Sequence, residues 1–87
     1  MEKLIRFDFK EHCLSTTFLD INFKGKGNPA LKANEILLKN EVEGLEGICP
    51  VSAKYKLTIW KGDIYTWSEI MDNICNVLTK KQGFERI

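Results

Sequence analysis

Apolar and polar residues alternate strictly over residues 5 to 10, Ile-Arg-Phe-Asp-Phe-Lys, so Ile5, Phe7 and Phe9 fall on one face of a half-buried strand. After polar Lys10 to His12 the alternation returns over residues 16 to 23, with Leu19, Ile21 and Phe23 on the inner face. The two runs are expected to pair as an antiparallel hairpin. Lys24-Gly25-Lys26-Gly27 then stops the second strand, because glycine admits backbone angles that other residues avoid.

Asn28-Pro29 is a helix start: the Asn side chain can accept a free amide, and Pro at the first helical position loses no hydrogen bond. A helix from Pro29 to Asn40 follows, with Leu31, Leu38 and Val42, flanked by Ala30, Ala33 and Leu37, expected to face the sheet. Ile36, Leu38 and Val42 also alternate, so a strand over residues 34 to 42 competes. Helix propensity and the Asn-Pro start favour the helix. Gly44, Gly47 and Pro50 make residues 43 to 52 a loop with, at most, a short edge strand around Ile48.

Residues 53 to 60 alternate again, placing Ala53, Tyr55, Leu57 and Ile59 inward, and Gly62-Asp63 ends the run. Thr66-Trp67-Ser68-Glu69 is a capping box, in which hydroxyl and carboxylate each satisfy a backbone amide. The helix behind it buries Trp67, Ile70, Met71, Ile74, Val77 and Leu78, carries Lys80 and Lys81 at its negative end, and stops at Gly83. The order is β-β-α-β-α, or β-β-β-β-α with the competing strand. Either is a two-layer α+β domain spanning residues 1–87, an antiparallel sheet of three to four strands packed by the C-terminal helix.

At 87 residues the chain has room for one core, and 44% hydrophobic against 29% charged residues is the balance of a globular protein. Thirteen basic against twelve acidic side chains, net +1, exclude the overall field of a histone-like binder. Cys13, Cys49 and Cys75 are odd in number and far apart, unlike a secreted disulfide framework, and charges interrupt the apolar residues of the N-terminus. Reduced thiols, a cytoplasmic location and no membrane contact are expected.

Catalytic chemistry is hard to assemble. His12 is the one histidine, and in an extended segment its side chain and that of Cys13 point to opposite faces. There is no CxxC or HExxH pattern, so no metal or cofactor is expected. The segment 24–29 brings lysines and glycines to a helix start, as an anion site would, yet lacks P-loop spacing and is read as a solvated turn. Glu35, Glu41, Glu43 and Glu46, offset by Lys39, are read as a solvated surface, with a patch for a basic partner as the lesser alternative.

The outward strand positions are more informative. Arg6, Lys10, Lys24, Lys54 and Lys56 face Asp8 and Asp20, a basic excess, and two aromatics, Phe18 and Trp60, share that face. Such residues serve protein and nucleic-acid interfaces alike, or pack on each other. The aromatic-glycine signature of RNA-recognition sheets is missing. The expected function is a small non-enzymatic protein-binding module, an inhibitor or immunity-type protein that occludes its partner, with a mobile-element origin suggested by its size alone. Phe18, Lys24, Lys54, Lys56 and Trp60 are the expected contact residues. The alternative is a nucleic-acid-binding protein using the same face.

Overall fold

The computed structural model describes residues 5–11, 17–50, 54–80 and 83–87. Strands β1 (Ile5–Glu11) and β2 (Phe18–Lys24) form the expected antiparallel hairpin, in a register that opposes Phe7 to Phe23 and Phe9 to Ile21. Helix α1 (Pro29–Asn40) follows, then β3 (Leu45–Pro50), β4 (Lys56–Lys61), α2 (Trp67–Lys80) and β5 (Phe84–Arg86). The sheet order is β3-β4-β2-β1-β5, antiparallel throughout except that β5 runs parallel to β1. The described residues thus form a small compact α+β domain with a mixed five-stranded sheet and two helices.

Through these pairings β2 and β3 run parallel with β4 between them, and β4 and β5 run parallel with β2 and β1 between them. Parallel strands need a crossover, and each pair takes one helix for it. From β2 to β5 the chain is therefore a split βαβ pair, with β1 wedged into the sheet beside β5. Both helices lie on one face, where Ala30, Ala33 and Leu37 of α1 and Ile70, Ile74 and Leu78 of α2 meet Phe7, Leu19, Ile21, Phe23, Leu57 and Ile59 in one buried cluster.

The expected three to four strands, all antiparallel, are corrected to five in a mixed sheet. The short edge strand around Ile48 is formed, as β3, but it runs over Leu45–Pro50, longer than alternation shows, because a bulge between Leu45 and Gly47 breaks its period and Gly47 and Pro50 read as breakers. β5 has three residues, too few for a period. Tertiary contacts hold it: the Phe84 ring meets Phe23 edge-on with centroids 6.4 Å apart, Arg86 lies 5.0 Å over Phe9, and the Ile87 amide donates to the Phe7 carbonyl at 2.9 Å. The competing strand over 34–42 is not formed.

The phase of α1 also differs from expectation. Leu31 and Leu38 are exposed, 47% and 62%, while Pro29, Ala30, Ala33 and Leu37 are buried. The small alanines occupy the side that lies against the sheet, and the two leucines, seven residues apart, are rotated away together. Tyr55 is exposed rather than inward, because β4 begins only at Lys56 and residues 54 and 55 form a turn. Ala53 and Lys81 lie outside the described residues.

Both helix starts form as the sequence implies. The Leu31 amide donates to Asn28 Oδ1 at 3.1 Å. The Glu69 amide donates to Thr66 Oγ1 at 3.2 Å, and the Thr66 amide donates to Glu69 Oε1 at 3.1 Å, a reciprocal capping box. Thr66→Ala removes one arm of it and is expected to destabilise by about 1 kcal/mol, read as a lower denaturant midpoint at constant m-value. The opposite sign is expected at Asn34, whose Oδ1 is shut off from solvent with no hydrogen-bond partner among the described residues. Asn34→Ala removes a desolvated acceptor and improves helix propensity, and is expected to raise stability by about 1 kcal/mol in the same measurement.

Candidate protein-binding face

The pleat that buries Leu19, Ile21, Leu57 and Ile59 turns Phe18, Asp20, Thr58 and Trp60 to the other side of the sheet, where no helix lies among the described residues. Phe18 and Trp60 are directly opposed across β2 and β4, and their rings meet edge-on with centroids 6.0 Å apart. On its other side Trp60 opposes Gly47 of β3. A Cβ built on Gly47 would lie 2.2 Å from Trp60 Cζ2 and 2.3 Å from Cε2, so the indole rests on the bare backbone at this point. Phe18 stays 40% exposed and Trp60 is half-buried. The aromatics pack on each other, and the pair remains open to solvent.

Next along the face, Thr58 donates its hydroxyl to Asp20 Oδ1 at 2.8 Å, and Lys56 Nζ stands 3.9 Å from Asp20 Oδ2. At the far edge Arg6 Nε lies 3.7 Å from Glu85, a carboxylate that β5 adds to this face. The sequence count of basic excess therefore shrinks, and two of the cations already have carboxylate neighbours. Lys24 is exposed opposite Arg6, and Lys54 is exposed in the turn before β4, where its carbonyl accepts the Ala30 amide at 3.1 Å. Of the five expected contact residues, the fold brings Phe18, Trp60 and Lys56 into one row and sets Lys24 and Lys54 at its basic end.

Sequence reasoning missed two residues here. Tyr55 and Ile87, both exposed, border a shallow groove of about 430 Å³ that runs over Asp8, Asn22 and Lys24. Alternation alone turns Tyr55 inward, and Ile87 reaches this face only through the pairing of β5 with β1.

Behind the glycine-lysine turn, the first amides of α1 are already engaged. Pro29 has no N–H, and the amides of Ala30, Leu31 and Lys32 donate to the Lys54 carbonyl, Asn28 Oδ1 and the Asn28 carbonyl. Within the acidic group, Glu43 accepts the Tyr65 hydroxyl at 3.1 Å. That hydrogen bond, with lesser help from burial and the nearby charges of Glu43 and Glu69, raises the Tyr65 pKa above the usual phenol value. Cys49 is exposed opposite Thr58 and Cys75 is half-buried in α2, while His12 and Cys13 lie outside the described residues. No helix among the described residues is long and apolar enough to cross a membrane.

The seat of the indole is testable in a Trp67→Phe background, where emission reports Trp60 alone. Gly47→Ala is expected to displace the ring, shift its emission and destabilise by about 1–3 kcal/mol. An unchanged spectrum would show that the ring does not rest on Gly47.

Comparison with protein-family models, with curated proteins and with solved structures finds no match.

Proposed function

We propose that this domain is a non-enzymatic protein-binding module, an inhibitor or immunity-type protein of the cytoplasm, that occludes a partner with its helix-free sheet face. The observation carrying this reading is the Phe18–Trp60 pair seated on Gly47. Large aromatic side chains dominate interface energetics, and a pair already held against the backbone loses little conformational freedom on binding. Around it Lys24 and Lys54 are exposed charges suited to steering, whereas Lys56, neighboured by Asp20, is suited to fixing orientation.

The mixed signs on the face favour a protein over a nucleic acid. Phosphate binding draws on cations free to replace counterions, and here Arg6 and Lys56 stand beside carboxylates while Asp8 interrupts the row. A protein surface can match such a pattern charge by charge.

The test is affinity capture from the native cell with wild-type and Trp60→Ala baits, followed by kinetics on the purified complex. Trp60→Ala is expected to weaken the complex by about 2 kcal/mol or more with the fold intact by circular dichroism. Lys24→Ala and Lys54→Ala are expected to slow association and flatten its salt dependence, with little change in dissociation. A Trp60→Ala bait that holds the same partner equally well overturns the reading. A steep linear loss of log affinity for nucleic acid with log salt would assign the face to that ligand instead.

A further inference from the structure

The helix side of the molecule has an opening of its own. Between the end of α1 and the start of β3 lies a cleft of about 290 Å³. Buried Leu37 and Val42 form its base, and exposed Leu38 with half-buried Leu45 and Ile48 form its sides. Its charged lining is Glu41 and, at the rim where its side chain reaches over Gly62, Glu46; neither is in an ion pair among the described residues, and none of the lining residues is basic. Leu38, 62% exposed, is the large apolar side chain that a simple amphipathic α1 would have buried.

β3 is also the edge of the sheet, a place where extended peptides add as a further strand. The bulge between Leu45 and Gly47 and the proline at position 50 interrupt that edge, so the cleft is suited to a side chain rather than to a strand. An apolar trough with two carboxylates and no cation complements one kind of side chain: a long aliphatic stem that ends in a positive charge.

We propose that the α1–β3 cleft is a second docking site, which takes an arginine or lysine side chain presented by a basic segment of a partner protein. The stem packs on Leu38, Leu45 and Ile48, and the cationic head meets Glu41 and Glu46. This site opens on the helix side of the sheet and shares only Gly47 with the Phe18–Trp60 face.

The probe is a short peptide of alternating leucine and arginine, titrated into the full ¹⁵N-labelled chain. Saturable shifts are expected at the amides of Leu38, Glu41, Leu45, Glu46 and Ile48. The Glu41→Gln/Glu46→Gln double variant keeps side-chain shape and is expected to lose about tenfold or more in affinity. Leu38→Ala, which removes an exposed side chain, is expected to weaken binding as well. Phe18→Ala alters the sheet face alone and is expected to leave peptide binding unchanged, so failure here is distinguishable from failure of the sheet-face reading. The proposal is overturned by absence of saturable shifts, by shifts confined to the Phe18–Trp60 face, by equal binding of the peptide with glutamate in place of arginine, or by unchanged affinity in the double variant. Concentration-dependent shifts at the same amides without peptide would assign the cleft to a second copy of the chain and also overturn it.

Discussion

β2 lies at the centre of the sheet, and everything on both faces depends on its register. Its Leu19, Ile21 and Phe23 oppose Ile59 and Leu57 on one side and Phe9 and Phe7 on the other, under the cover of both helices. Side chains along a strand alternate with a period of two, so a slip by one residue would carry this whole apolar set into water and drive Asp20 and Asn22 into the core. The cost of that exchange fixes the register. Once fixed, it leaves Phe18 no choice but to face Trp60, and Thr58 no choice but to face Asp20. The candidate binding row is the reverse side of the core, set by the same pairing.

This dependence explains which features the chain discloses before its fold is known. β1, β2 and β4 are half-buried strands, so each carries the alternation that reveals it, and the outward aromatics follow by subtraction. The two capped helix starts are legible because the residues that cap them are local in sequence. α1 shows the limit of that reading. Leucines are the stronger apolar signal, yet the helix buries its alanines, because close approach to the sheet favours small residues and only the packed fold fixes which side approaches. The edge strand around Ile48 shows only in part and β5 not at all, for a related reason: β3 is bulged and proline-ended, β5 is three residues long, and both are held by partners distant in the chain.

Charge is likewise distributed by the fold and hidden by the composition. A net charge of +1 conceals a separation along the molecule. Lys24, Lys26 and Lys54 gather around the end where β2 finishes and β4 begins, whereas Glu41, Glu43, Glu46 and Asp63 gather where α1 finishes, β3 begins and β4 ends. Acidic residues spaced along residues 35 to 46 look in sequence like a solvated stretch. The turn after α1 and the bulge in β3 bring two of them beside apolar side chains, and that company changes what they can bind. Conversely, the cations of the sheet face look freer in sequence than they are, because Glu85 and Asp20 reach Arg6 and Lys56 only through strand pairing.

Gly47 joins the two surfaces. Glycine weakens a strand, since it loses more backbone freedom on folding and offers no side chain to pack. Here the Trp60 indole lies where its side chain would be and supplies the missing contact, a cross-strand cover known to offset an edge glycine. The arrangement has a directional consequence. A side chain at position 47 would lift the indole off the sheet, whereas its absence lets the ring lie against the backbone with Phe18 edge-on to it. Stability of the β3–β4 pair and presentation of the aromatic face are thus coupled through one missing Cβ. In a domain this small, with a core of modest area, that coupling lets a large aromatic side chain help hold the sheet together while part of its surface stays open to a partner.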